Sequence, residues 1–184
     1  MNRQVLFVHG GAVYEQDRKL AASLSDALGA AYEVRYPEMP NADAPEYGAW
    51  RDCIAEELSA LGGGVILVGH SLGASVLLKY LSEENAEGPV AGLFLVAAPF
   101  WGAEDWEVDE YTPREDCAHW LPESLPIFFY HGRDDEIVPF EHLSLYAEKL
   151  PGATFRELDG GGHQLGNDLS GVARDIARLE GETS

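Results

Sequence analysis

The sequence predicts an α/β fold: a single doubly wound domain with a sheet of about six mostly parallel strands and helices on both faces. Apolar runs of strand length alternate with segments of helical period along the whole chain, and this alternation is typical of parallel βαβ units. The chain has 184 residues, without a repeat or a linker, and this length suits one hydrophobic core. We therefore expect residues 1–184 to form one domain.

In the first half of the chain, three apolar runs are predicted as strands and two amphipathic segments between them as helices. The second helix has the clearest pattern, because its apolar residues recur at helical intervals and the pattern stops at the glycines 62–64. Gly29 ends the first helix in the same way. The predicted strands are residues 5–8, 32–36 and 65–68, and the predicted helices are residues 16–28 and 47–61.

The second half of the chain continues the alternation. An apolar helix through residue 81 follows the third strand, and further strands are predicted at residues 90–97, 127–130 and 154–158. Apolar spacing predicts two more helices, over residues 140–150 and 169–179. Helical crossovers between successive strands are expected to keep the sheet parallel.

The segment from about residue 99 to residue 125 interrupts the alternation of strands and helices and forms a short aromatic and acidic insertion. Thr112, Pro113 and Glu115 form a capping-box pattern, which predicts a short helix that ends at Trp120. The aromatic residues before it follow a central strand, where ligands bind in open α/β sheets, so they either line a pocket or cover the sheet edge. The candidate pocket residues of this insertion are Phe100, Trp101 and Trp106.

The charge balance restricts the partners of the protein. With 12 basic and 32 acidic residues, the formal net charge is −20, and such a surface repels nucleic-acid phosphates and anionic lipid headgroups. Cys53 and Cys117 are too few and too far apart for a disulfide framework or a zinc ribbon. No segment has the features of a signal peptide or a membrane span, so we expect a cytoplasmic protein.

One five-residue segment carries the chemistry. It matches the pattern G-x-S-x-G and lies between a predicted buried strand and a predicted helix, which is the context of a nucleophile elbow. Its glycines leave room for a serine in a strained turn, which lifts the hydroxyl above the sheet and points the next N–H at a developing oxyanion. The segment Gly69-His70-Ser71-Leu72-Gly73 predicts Ser71 as the nucleophile and the Leu72 N–H as an oxyanion donor.

A serine nucleophile needs a base that takes its proton, and one of the six histidines stands in a suitable place. His163 follows the glycines 160–162 in the loop after the last strand, so this loop can carry an imidazole over the sheet edge towards Ser71. The other five histidines are interpreted as structural or solvated. His9 and His131 order loops at strand ends, His70 points away from Ser71, and His119 and His142 occupy solvated helix positions.

The acid that orients this imidazole is expected in a loop after an earlier strand. The segment after the fifth strand offers three adjacent carboxylates, Asp134, Asp135 and Glu136. All three lie between Ser71 and His163 in the chain, with room for the intervening strands and helices. The residues alone leave the choice among them open.

In this order, these segments resemble the α/β-hydrolase superfamily over nearly the whole chain, from about residue 5 to residue 179. The matching segments are His9-Gly10-Gly11, the elbow, His131-Gly132-x-x-Asp135-x-x-Val138-Pro139 and Gly162-His163. The resemblance implies that the acid is Asp135, because the superfamily has it at the fourth position of G-x-x-D-x-x-V-P; Asp134 and Glu136 are then solvated turn residues. We also expect a second oxyanion N–H from Gly11, with Ala12 as the alternative.

The short chain and residues 36–50 also resemble the small lidless serine hydrolases related to retinoblastoma-binding protein 9, whereas the His-Gly-Gly start resembles general esterases. The Leu-x-Cys-x-Glu motif of the former group is absent, so no retinoblastoma interaction is implied. We therefore expect a serine hydrolase of a small ester, thioester or amide that needs no cofactor and no metal, with Ala12 and His70 as further pocket candidates. The alternative is a catalytically idle member of the fold that acts as a binding protein.

Overall fold

The computed structural model of the chain describes residues 2–83, 90–103 and 105–181. These residues form one sheet of six strands in which every neighbouring pair is parallel, in the order β2-β1-β3-β4-β5-β6. The strands are β1 Arg3–Val8, β2 Tyr32–Arg35, β3 Val65–His70, β4 Val90–Val96, β5 Ile127–Gly132 and β6 Thr154–Leu158. The predicted fold class is confirmed.

Helices cover both faces of this sheet, because side chains alternate between the two faces along each strand. Val5 and Phe7 pack against one pair of helices, whereas Leu6 and Val8 pack against the other helices. The helices of the first face are α1 Tyr14–Leu28 and α6 Ser170–Gly181; those of the second are α2 Tyr47–Leu61, α3 Leu72–Glu83, α4 Cys117–Trp120 and α5 Glu141–Lys149. Within the described ranges, no helix is both long enough and apolar enough to cross a membrane.

The strand order has a reversal beside β1, and this reversal positions the site. From β1 the chain crosses to β2 on one side and then returns to β3 on the other, so β1 and β3 are neighbours. Val8 pairs with Gly69 near the carboxyl ends of these strands. The loop after β1 and the turn after β3 therefore meet at a topological switch point, where open α/β sheets bind ligands.

The predicted helix in the insertion ends at Trp120, as expected, but it begins later than the capping-box pattern predicted, and the predicted cap does not form. Among the described residues of the insertion, only α4, Cys117–Trp120, is helical. The Thr112 hydroxyl donates backwards to the carbonyl of Val108 at 3.0 Å and does not cap the following turn. The helix therefore begins at Cys117 and not directly after Thr112.

Candidate active site

Ser71 lies in a tight turn between β3 and α3, and the backbone there requires both flanking glycines. Ser71 has a φ of 53°, in the left-handed region that few non-glycine residues adopt. A Cβ at Gly69 would lie 2.7 Å from the Ala74 backbone, and a Cβ at Gly73 would run into the carbonyl oxygens of β1 and of the residue after it. The turn thus packs directly on β1 and projects Ser71 from the carboxyl end of the sheet.

The loop after β1 lies against this turn. A Cβ at Gly10 would be 3.2 Å from Ser71 Cβ, and a Cβ at Gly11 would be 3.3 Å from Leu72 Cδ2. The Ala12 N–H donates to Ala42 O at 2.7 Å, so it is not free for an oxyanion, and this argues against the alternative donor. Among the described residues, no hydrogen bond occupies the N–H of Gly11 or of Leu72.

The ring of His163 contacts the carboxylate of Asp135. His163 Nδ1 lies 2.9 Å from Asp135 Oδ2 and 3.1 Å from Oδ1. The same carboxylate is completely buried and accepts the N–H groups of Ile137 and Val138 at 2.8 and 2.9 Å. Because it accepts from Nδ1, the neutral imidazole keeps its unprotonated nitrogen at Nε2, which is the position of a base.

The pKa of Asp135 is held well below the usual range for an aspartate. Burial alone raises the pKa of this group, but hydrogen bonds from His131, His163 and two backbone N–H groups outweigh burial. The same Nε2 of His131 lies 3.3 Å from Asp135 Oδ2 and 3.0 Å from Val138 O, so His131 orders the turn, as expected. Asp135 is consequently ionised at neutral pH and fixed in one orientation.

Asp134 is exposed, but it does more than face the solvent. Its two oxygens accept the backbone N–H groups of Gly161 and Gly162, at 3.2 and 2.9 Å. Gly161 has a φ of 110°, and a Cβ there would lie 2.8 Å from the Leu165 backbone. Asp134 is thus a solvated turn residue, as expected, and it also anchors the loop that carries His163.

His70 does not line an open pocket, in contrast to its prediction as a pocket residue. Its side chain is fully buried, with Nδ1 2.7 Å from Asp17 Oδ2 and Nε2 2.9 Å from the carbonyl oxygen of His163. Sequence reasoning missed Asp17, although its position three residues before Leu20 puts it on the apolar stripe of α1. An acid at such a position is a signal of a buried polar contact.

Besides His70, three histidines are buried, namely His9, His131 and His142. His142, predicted to be solvated, is 4% exposed, and its Nδ1 accepts the N–H of Phe100 at 2.9 Å; burial lowers its pKa. His9 is fully buried and accepts the N–H of Met39 on Nε2 at 2.9 Å, so it supports the loop after β1, as expected. Within the described ranges, no group of three or more His, Cys, Asp or Glu residues is arranged to hold a metal ion.

The aromatic residues of the insertion pack mainly on one another and on the core. The ring centroids of Trp101 and Trp106 are 5.3 Å apart, and Phe100 lies 5.0 Å from Tyr146. Phe100 and Trp101 pack against the core cluster of the second face. These contacts favour the interpretation that the insertion covers the sheet.

A cavity of about 900 Å³ is lined in part by the loop after β1. Two segments, residues 12–16 and residues 38–46, provide its walls, and Ala12 is part of them. Its lining includes four carboxylates, those of Glu15, Glu38, Asp43 and Glu46. This cavity leaves no signal in the sequence, because its two walls are far apart in the chain.

Comparisons with known proteins identify a family and several relatives. A protein-family model described as serine hydrolase matches residues 6–171 of the chain. The YdeN protein of Bacillus subtilis is 25% identical over 167 residues, which cover 90% of this chain and 87% of YdeN. The crystal structure of the B. subtilis ydeN gene product has a TM-score of 0.81 and 24% identity, with 98% of this chain and 100% of that chain covered.

Other solved structures share the α/β-hydrolase fold at lower identity. A meta-cleavage product hydrolase of Pseudomonas fluorescens has a TM-score of 0.74 and 14% identity, with 100% of this chain and 92% of that chain covered. A bromoperoxidase of Bacillus anthracis has a TM-score of 0.73 and 15% identity, with 97% and 92% covered. These similarities concern the fold, which hosts more than one reaction.

Proposed function

Because the chain belongs to the serine hydrolase family, we propose that it cleaves an ester bond of a small substrate through an acyl-enzyme on Ser71. Thioester and amide bonds are open to the same attack. The observation that carries this proposal is the contact between His163 Nδ1 and the buried carboxylate of Asp135, at 2.9 Å. An ionised acid on Nδ1 leaves Nε2 as the base that a serine nucleophile requires.

In the proposed reaction, His163 takes the proton of the Ser71 hydroxyl as its oxygen attacks the carbonyl carbon. The N–H groups of Gly11 and Leu72 stabilise the negative oxygen of the tetrahedral intermediate. His163 then gives the proton to the leaving alcohol, and the acyl group stays on Ser71. Water activated by His163 releases the acid and restores the serine, while Asp135 stabilises the imidazolium in both steps.

The cavity beside Ala12 supports a substrate that is neutral or cationic. Four carboxylates line it, the formal net charge of the chain is −20, and both would repel an anionic group that approaches the site. We propose that this cavity takes the part of the substrate that extends beyond the loop after β1. An acyl-CoA, with its several phosphates, would be a poor substrate.

A catalytically idle binding protein is the competing function. Such a protein would not need an ionised acid, an imidazole and a strained serine turn together, so the contact between His163 and Asp135 disfavours it. The resemblance to the lidless hydrolases related to retinoblastoma-binding protein 9 does not indicate a particular substrate. Activity is therefore the property to test first.

The test is labelling by a fluorophosphonate and hydrolysis of p-nitrophenyl butyrate. We expect a covalent adduct on Ser71, located by mass spectrometry, and its loss together with ester turnover in Ser71→Ala. Ser144→Ala is the matched control, because Ser144 is exposed on α5, and it should behave as the wild type. A folded wild-type protein without an adduct or turnover would contradict the proposal and favour the binding protein.

A further inference from the structure

The buried ring of His70 has a hydrogen-bond acceptor at each of its two nitrogens. Nδ1 lies 2.7 Å from Asp17 Oδ2, and Nε2 lies 2.9 Å from the backbone carbonyl oxygen of His163. A neutral imidazole has one N–H, so one of these acceptors would face a lone pair. A carbonyl oxygen can only accept, which requires a proton on Nε2.

The second proton of His70 follows from the state of Asp17. This carboxylate is fully buried and also accepts the N–H of Gly10 on Oδ2 at 2.8 Å and the amide of Gln164 on Oδ1 at 3.0 Å. Burial raises the pKa of Asp17, but its contacts with His70, Gly10 and Gln164 lower it below the usual value. Both oxygens of Asp17 accept an N–H, Oδ2 from Gly10 and Oδ1 from Gln164, and this geometry, together with the carbonyl oxygen at Nε2, favours a His70 ring that donates from both nitrogens.

We propose that Asp17 and His70 are positioning residues for the hydrolysis assigned above, acting as one buried ion pair. The proposal rests on the proposed function. His70 belongs to the elbow, its partner Asp17 holds the loop after β1 through Gly10, and its other nitrogen holds the backbone of His163. The pair therefore fixes the relative positions of three segments. These segments supply the nucleophile, the oxyanion N–H of Gly11 and the base.

The charge of the pair matters as much as its geometry. The rings of His70 and His163 have centroids 4.8 Å apart, and a lone imidazolium there would oppose the positive charge that His163 gains during catalysis. The carboxylate of Asp17 balances that charge. A buried ion pair is weak evidence of a role in stability, because apolar residues of similar size often give a protein that is equally stable. These contacts of Asp17 and His70 are all with segments of the site, and this favours a positioning role.

The protonation state can be measured without a substrate, by NMR of ¹⁵N-labelled histidine rings. At pH 8 we expect one ring with protons on both nitrogens, and we expect this signal to disappear in His70→Gln. If all rings are neutral at pH 8, the ion pair does not exist and the proposal fails, whether or not the protein hydrolyses esters.

The positioning role is tested with Asp17→Asn and His70→Gln. We expect kcat for p-nitrophenyl butyrate to fall by about a hundredfold with KM nearly unchanged, and the rate of fluorophosphonate labelling to fall with kcat. The matched control is Asp175→Asn, which removes another buried carboxylate, one that contacts Tyr130 and Arg156 away from the site. It should lower the melting temperature and keep kcat.

The outcomes separate this inference from the proposed function. If the wild type is not labelled by the fluorophosphonate and does not hydrolyse the ester, the proposed function is wrong. The NMR signal of the Nδ1 proton of His163 then decides the positioning role, because it should shift in Asp17→Asn and not in Asp175→Asn. If the wild type hydrolyses and the folded Asp17 and His70 variants keep kcat within about twofold, the pair is only structural. If these variants do not fold, the NMR of the wild type still decides whether the ion pair exists.

Discussion

Asp134 and Asp135 are consecutive residues that hold the same loop by different atoms. Asp135 accepts from the ring of His163, whereas Asp134 accepts from the backbone N–H groups of Gly161 and Gly162. One carboxylate therefore fixes the orientation of the imidazole, and its neighbour fixes the path of the chain that carries it. These contributions can be separated by substitution.

The first prediction concerns the acid. In Asp135→Asn, the amide NH₂ can face Nδ1 of His163 and stabilise the tautomer that carries its proton on Nε2, which is no longer a base. We expect kcat for p-nitrophenyl butyrate to fall by about 10³- to 10⁴-fold, with the protein still folded. Full turnover in Asp135→Asn together with its loss in Asp134→Asn would assign the acid to Asp134.

The second prediction concerns the anchor of the loop. In Asp134→Ala, the two glycine N–H groups lose their acceptor, and the base is held less accurately. We expect kcat to fall by about tenfold, less than for a complete misplacement, and KM to stay constant. Glu136→Ala removes an exposed carboxylate from the same turn and is the control. Equal kcat in the two variants would show that the anchor has no catalytic consequence.

The fold could be predicted because the apolar pattern decides it locally. Every residue of β3 is buried, which the continuous apolar run indicated, and the bounds of α2 agree because three glycines stop a clear helical period. Sequence position also brought Asp135 and His163 together, since parallel strands end at the same edge of the sheet. These features need little knowledge of distant contacts.

The remaining parts of the site depend on contacts that no local pattern contains. Asp17 and His70 are 53 residues apart in the chain, and only the packing of α1 beside the elbow joins them. His142 occupies a position on α5 that looked solvated, but the loop after β4 turns back over it and donates the N–H of Phe100. A side chain that is buried by a loop does not belong to the periodic apolar pattern of its helix, so the sequence pattern does not indicate its burial.

The third prediction tests the glycine of the elbow. In Gly73→Ala the new Cβ would collide with the carbonyl oxygens of Val8 and His9, which are backbone atoms and cannot move aside. We expect the free energy of unfolding in urea to fall by about 1–3 kcal/mol or more. Gly48→Ala is the matched control, because nothing lies within 4 Å of a Cβ there, and α2 should gain up to about 1 kcal/mol. Equal effects would contradict the packing.

The fourth prediction is a pH dependence of stability. The pKa of Asp135 is lowered in the folded protein, because hydrogen bonds outweigh its burial, so the unfolded chain binds the proton more tightly. This contribution is complete above the unfolded pKa of about 4 and is lost as the pH falls towards the folded pKa. We expect the difference in unfolding free energy between wild type and Asp135→Asn to shrink from pH 6 to pH 3.

The comparison of these two proteins removes the effect of the other acids, which titrate in both. Urea unfolding of both proteins at each pH provides the measurement. A difference that stays constant for Asp135→Asn would mean that this carboxylate has an ordinary pKa in the folded state.

The last prediction concerns the charge of the substrate. The carboxylates of Glu15, Glu38, Asp43 and Glu46 line the cavity beside Ala12, so an anionic ester should bind less well than a neutral ester of similar size. We expect a higher KM for p-nitrophenyl hemisuccinate than for p-nitrophenyl butyrate. Salt should narrow this gap, because the screening length falls from about 30 Å at 0.01 M to about 3 Å at 1 M ionic strength.

The cavity and the overall charge make different contributions to this gap, and substitution separates them. Glu38→Gln combined with Asp43→Asn removes two of the 32 acidic residues, both from the cavity wall, and should lower the KM of the hemisuccinate without a change for the butyrate. Exchange of two acids outside the cavity, Glu123→Gln and Glu148→Gln, should leave both constants unchanged. If both double variants shift the KM equally, the net charge of the surface and not the cavity determines the preference. If the gap does not respond to salt, repulsion is not its cause.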